Sequence, residues 1–180
     1  MARIVAAWLS VGQNLSESQI ETLREKDGVE AAYQRSLTFI SYRPRSEAEV
    51  RRKMQEQGVK PEWADEVVER LMRAGVVGDT NFAAAWVENR AALHPRGRRL
   101  LTYELRQKGI SDEDISTALE PLPEEEGLAY NAGVKYASRL KGLEWMDFSR
   151  RLTGFLARRG FSYSTCKPVI RQIWDEFNTN

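Results

Sequence analysis

The sequence predicts an all-α fold of tandem three-helix repeats with a period of 51 residues, arranged as an elongated, curved solenoid-like array. Three observations predict it. Gly58, Gly109 and Gly160 lie 51 residues apart, and apolar columns recur at the same offset: Val50/Leu101/Leu152, Met54/Leu105/Leu156, Val59/Ile110/Phe161, Ala64/Ile115/Cys166, Val67/Ala118/Val169, Val68/Leu119/Ile170 and Leu71/Leu122/Ile173. Within a repeat the apolar positions follow a helix, since Ala64, Val67, Val68, Leu71 and Met72 run i, i+3, i+4, i+7, i+8. No stretch sustains the apolar–polar alternation of a strand.

The elements follow in order. The run Met1–Leu9 is too short to cross a membrane and lacks the charged start and longer apolar stretch of a secretory signal. A cytoplasmic protein without membrane contact is therefore expected. Ser16-Glu-Ser-Gln19 opens a short helix carrying Ile20 and Leu23, which Asp27-Gly28 is expected to end. A further helix over about 29–42 presents Tyr33, Leu37 and Ile40. Residues 1–45 thus read as an N-terminal helical segment that caps the first repeat.

Repeat 1 spans 46–95. Ser46 with Glu49 is a capping box, and Gly58 stops the first helix at a left-handed position where a Cβ is costly. Pro61 suits the first turn of the second helix. Asp79-Thr-Asn-Phe82 starts the third, with Phe82, Ala85, Trp86, Asn89 and Leu93 as its expected buried stripe, and Pro95 ends it. Repeat 2 spans 96–142, with a Ser111 cap, Gly109 as the stop, a break at Pro121-Leu-Pro123 and a third helix over roughly 124–140. Repeat 3 spans 143–180 and holds two helices, about 144–159 and 163–177.

Composition narrows the function. Of 180 residues, 42% are hydrophobic and 29% charged, which fits a folded chain. The 27 Lys and Arg against 26 Asp and Glu leave +1, so total charge does not mark a nucleic-acid binder. One cysteine excludes an intramolecular disulfide, and one cysteine with one histidine cannot build a usual zinc site. No phosphate loop, nucleophile elbow or HExxH pattern is present, and the acids at 112–114 and 124–126 lack EF-hand spacing. His94, before Pro95, suits a helix C-terminus, and Cys166 shares the column of Ala64 and Ile115. The expectation is a non-enzyme with no catalytic residue, metal or cofactor. Trp86 and Trp174 read as core, whereas Trp63 and Trp145, in first turns, are candidates for exposed anchors.

Charge is segregated by helix. Residues 96–108 and 149–160 each carry +4, whereas 111–126 carries −7 and 62–70 carries −3. One reading is a set of solvated faces whose ion pairs contribute little. The other is a patterned surface for a charged, repetitive partner. The candidate contact residues are Arg43, Arg45, Arg96, Arg98, Arg99, Arg106, Arg150, Arg151, Arg158 and Arg159, which suit phosphate or carboxylate.

The runs Ile40-Ser-Tyr-Arg-Pro-Arg-Ser-Glu-Ala-Glu-Val50, Gly75-Val-Val-Gly-Asp-Thr-Asn-Phe-Ala83, Gly97-Arg-Arg-Leu100, Glu104-Leu105, Lys108-Gly-Ile110 and Leu156-Ala-Arg-Arg-Gly-Phe161 together resemble the RecX family of RecA regulators. The resemblance covers roughly residues 9–177. It implies tandem three-helix modules and a monomer that binds the RecA protein and its filament on single-stranded DNA, usually inhibiting it, with weak DNA contact as a contributor. It carries no catalytic residue. Longer members have a β-rich segment ahead of the stretch like Ser10-Val-Gly-Gln13, and this sequence is expected either to lack it or to begin late. Gly78 stands where an acid is expected, which would loosen the cap of the following helix. Two other readings stay open: a helix-turn-helix-like DNA-binding module, and a helical-repeat scaffold for a different protein.

Overall fold

The computed structural model describes residues 14–178; the stretches Met1–Leu9 and Ser10–Gln13 lie outside the described residues. Every regular element among the described residues is helical: α1 (Glu17–Ser41), α2 (Glu47–Glu56), α3 (Pro61–Arg73), α4 (Asp79–Leu93), α5 (Arg98–Gln107), α6 (Asp112–Leu119), α7 (Glu125–Ala137) with a 3-10 turn at Ser138–Leu140, α8 (Trp145–Arg158) and α9 (Tyr163–Asn178). None is long and apolar enough to cross a membrane. The chain forms two compact units that divide within the first turn of α4, after Phe82.

The predicted glycine stops are present. Gly58, Gly109 and Gly160 have φ of +72°, +80° and +87°. Each ends its helix in the same double hydrogen bond. The Gly58 and Val59 N–H groups donate to Gln55 O and Met54 O, those of Gly109 and Ile110 to Arg106 O and Leu105 O, and those of Gly160 and Phe161 to Ala157 O and Leu156 O. The amides thereby satisfy carbonyls that the end of a helix would otherwise leave without partners. Ser46 makes both bonds of its capping box, and Ser111 accepts from the Asp114 N–H. Asp79 works at a distance, accepting from the Glu47 N–H at 2.9 Å where the positive end of α2 favours an acid.

In the first unit, α1 packs on α2 and α3 around Val50, Met54, Val67, Val68 and Leu71. In the second, α7, α8 and α9 enclose Phe148, Leu152, Leu156, Val169 and Ile173. Every member of the 51-residue apolar columns is buried except Val59, Ala64 and Leu122, which are half-buried. Cys166 is buried with them, and burial pushes its thiol pKa up.

Three expectations need correction. Residues 17–41 form one helix, not two. Gly28 sits inside it because a side chain there would collide with the Trp63 indole, whose nearest ring carbon lies 2.2 Å from the position of a Cβ. That packing half-buries Trp63, and Trp145 is half-buried edge-on to Trp174 at 5.4 Å, so neither tryptophan is an exposed anchor. In α4 the buried side chains are Phe82, Ala83 and Val87, while Ala85, Asn89 and Leu93 face solvent. Apolar residues surround that helix on all sides, so no single phase stands out in its sequence.

Candidate partner-binding surface

Most of the ten candidate arginines have work to do within the fold. Arg43 pairs with Glu49 at 2.8 Å, and Arg45 lies over the Phe39 ring at 3.9 Å. Arg98 closes the end of α6, donating from both terminal nitrogens to Leu119 O at 2.6 Å and Leu122 O at 2.9 Å. Arg106 pairs with Asp112, and Arg150 with Asp147, on exposed faces. Arg99, Arg151 and Arg158 are exposed and form no ion pair with any described residue.

Arg96 and Arg159 come together through two glycines. The start of α5 meets the end of α8 so closely that a Cβ on Gly97 would stand 2.5 Å from Gly160 O, and one on Gly160 would stand 2.4 Å from Leu100 Cβ. The Gly97 N–H donates to Arg159 O at 2.8 Å, and the Arg159 guanidinium donates to Pro95 O at 3.3 Å. A positive helix start therefore abuts a negative helix end. The contact brings the sequence neighbours of both glycines into one concavity.

Two adjoining clefts result, of about 430 and 440 Å³, sharing His94, Phe155 and Arg159. Their lining includes His94, Arg96, Lys135, Arg139, Arg158 and Arg159, with Glu104 as the one carboxylate. Glu104 is already committed, since it accepts from the Trp86 indole N–H at 3.0 Å and from Arg90, and pairs with Arg96. Burial, then repulsion from Arg90 and Arg159, pulls Arg96 below the usual arginine range; burial alone does so for Arg159. Cations thus outnumber their partners in a partly desolvated site. The floor is apolar: Ala91, Ala132 and Val134, with Tyr136 stacked on Phe155 at 4.1 Å and nearly parallel.

Of the sequence candidates, Arg96, Arg158 and Arg159 line this concavity; Arg43, Arg45, Arg98, Arg99, Arg106, Arg150 and Arg151 do not. Lys135 and Arg139 were missed. Their signal is a spacing of four across the end of α7 and the 3-10 turn after it, which is not a contiguous charge run. His94, read as a helix-end residue, follows the last residue of α4 and also faces both clefts.

Helix–glycine turn–helix units in tandem, with a cationic cleft lined from the ends of α4, α7 and α8 and the approach to α5, define a helical-repeat protein. Comparison with known proteins shows its family. The first, second and third three-helix domains of RecX match residues 32–71, 79–119 and 124–170. The regulatory protein RecX of Streptomyces coelicolor is 34% identical over 155 residues, covering 84% of this chain and 81% of its own length. Those of Bacillus subtilis and Leuconostoc mesenteroides are 31% and 28% identical over 92% and 93% of this chain, which spans only 63% and 64% of their lengths. A crystal structure of regulatory protein RecX superposes with a TM-score of 0.77 at 26% identity, covering 93% of this chain and 86% of that one. RecX from Lactobacillus salivarius shares the fold, with a TM-score of 0.70. The chain belongs to the RecX family of regulatory proteins.

Proposed function

We propose that this chain binds the RecA recombinase and its filament on single-stranded DNA and inhibits it through protein contacts, without catalysing a reaction of its own. Membership of a family of regulatory proteins carries the reading. The cationic cleft supports it, because a surface with more guanidinium groups than carboxylates favours an anionic partner. Arg99, Arg151 and Arg158, exposed and unpaired among the described residues, supply a weak, salt-sensitive contact with phosphate. On this reading the protein acts as a monomer in the cytoplasm, where the filament is.

The test is the single-stranded-DNA-dependent ATPase of the cognate RecA, titrated with this protein from well below one copy per protomer. Inhibition at low ratios supports action at filament ends or breaks, and inhibition only near one to one supports occupancy along the filament. An unaffected ATPase, with both proteins folded, rejects RecA as the partner.

A further inference from the structure

We propose that the two adjoining clefts form one docking site for a short acidic peptide segment of a partner protein. The segment seats an apolar side chain on the alanine and aromatic floor and places flanking carboxylates on Lys135, Arg139 and Arg158. The inference deepens the preceding reading, since it rests on the chain working through a protein partner.

Lys135 and Arg139 stand four residues apart, at the end of α7 and in the 3-10 turn that follows. Arg158 closes the last turn of α8. All three are exposed, and none pairs with a carboxylate of the described residues. Glu104 cannot neutralise them, because Trp86, Arg90 and Arg96 already hold it. An arriving carboxylate therefore meets guanidinium and ammonium groups that give up no existing ion pair to receive it.

The floor decides which anion. Ala132 is buried, Ala91 and Val134 are half-buried, and the small side chains leave room for an apolar group from outside. Leu93, 62% exposed, borders the same cleft and extends its apolar surface. A phosphodiester strand brings no aliphatic side chain to fill such a floor. Nor does Phe155 offer a base an open face: Tyr136 covers one side, and the Arg159 guanidinium lies over its ring at 4.6 Å from the centroid. Nucleic acids are held on open aromatic faces along a basic track. A peptide carrying Asp or Glu around a Leu or Phe matches both the rim and the floor.

The test uses the full chain and a fluorescein-labelled peptide, Asp-Glu-Leu-Asp-Phe-Glu-Asp, followed by fluorescence anisotropy. The comparison ligands are a hexaglutamate peptide, which has charge but no apolar group, and a labelled oligothymidylate. Lys135→Glu/Arg139→Glu is the test variant, and Lys167→Glu, on an exposed face outside the clefts, is the control. Far-UV circular dichroism confirms that each variant folds.

The expected result is binding of the mixed peptide, weaker by about tenfold or more in the double variant and unchanged in the control. Hexaglutamate should bind less well than the mixed peptide. No peptide binding, or equal binding by the double variant, overturns the proposal. So does oligothymidylate binding that needs Lys135 and Arg139 where the peptide does not bind, which would assign the cleft to nucleic acid. Concentration-dependent dimerisation lost in the double variant would assign it to a second copy of the chain.

Because the peptide assay contains no RecA, the two readings fail separately. Peptide binding with an indifferent RecA ATPase keeps the cleft and removes RecA. No peptide binding, with equal inhibition by wild type and double variant, removes the cleft and leaves RecA standing.

Discussion

Replacing Gly58, Gly97 and Gly160 by alanine, one at a time, separates backbone strain from steric exclusion. Gly58 has φ +72° with no atom within 4 Å of a Cβ, so alanine there meets only the left-handed backbone penalty, about 1–2 kcal/mol. Gly97 is the reverse case. Its φ of −68° and ψ of 152° suit any residue, but a Cβ would stand 2.5 Å from Gly160 O and 2.7 Å from Gly160 C, backbone atoms that cannot rotate away. Separating α5 from α8 to admit it costs about 1–3 kcal/mol, the usual range for overpacking.

Gly160 combines both effects, with φ +87° and a Cβ 2.4 Å from Leu100 Cβ, and should lose about 2–5 kcal/mol. Urea unfolding followed by circular dichroism measures all three, with unchanged m-values as the sign that only stability has moved. The reasoning is refuted if Gly160→Ala costs no more than Gly58→Ala, or if Gly97→Ala is neutral. Gly97 and Gly160 also hold Arg96 beside Arg159, so either variant should weaken anionic-peptide binding, and Gly58→Ala should not.

Arg98→Ala should destabilise by about 1.5–3 kcal/mol in urea unfolding, because it strips two charged hydrogen bonds from the end of α6. Its neighbour Arg99, exposed and unpaired among the described residues, should tolerate alanine to within about 0.5 kcal/mol, and an equal loss at both sites would refute the distinction. Glu30 has a carboxyl held below its usual pKa by hydrogen bonds from Gln34 and then Arg70. A group with a depressed folded-state pKa stabilises the fold above the unfolded value, about 4.3, and that contribution is lost as pH falls through the folded pKa. The stability difference between wild type and Glu30→Gln should therefore be full near neutrality and shrink as pH falls below the unfolded value; a difference that does not change with pH would contradict the bond.

The core was legible in the sequence because packing repeats when the backbone repeats. Val50, Leu101 and Leu152 occupy equivalent places beneath the same glycine turn, so one period exposes all three. A period does not carry a phase, however. The helices that enclose each core are α1 with α2 and α3, and α7 with α8 and α9, while a 51-residue offset is equally true from any starting helix. The cleft was less legible for a different reason. Its cations come from α5's approach, α7's end and α8's end, and the contact that gathers them is the absence of two side chains at Gly97 and Gly160. Glycine at a positive φ announces itself as a helix stop, but glycine required by a neighbour's backbone gives no local sign. Arg98 illustrates the same limit: charge counting grouped it with Arg99, and only the position of the α6 carbonyls tells the two apart.

Gly28 makes that limit testable within a single helix. Alanine at this position of α1 would gain about 0.8–1 kcal/mol of helix propensity if the site were open. In the structure the site is filled, with three indole carbons of Trp63 within 2.9 Å of where the Cβ would lie. The ring must shift to admit it, and the Lys60 ammonium 4.8 Å from its centroid favours the present position. Displacing it should cost about 1–3 kcal/mol, so the expected net change is a destabilisation of about 1 kcal/mol. Trp63 would also become more exposed, and its fluorescence should shift to the red. Gly28→Ser serves as a second probe, with a slightly larger side chain and less helix propensity, and should be worse still. Stabilisation by alanine with an unchanged emission maximum would show that α1 does not press on Trp63. Such a result would keep α1 continuous across residue 28, since alanine gains its propensity only inside a helix, and would remove the contact with Trp63.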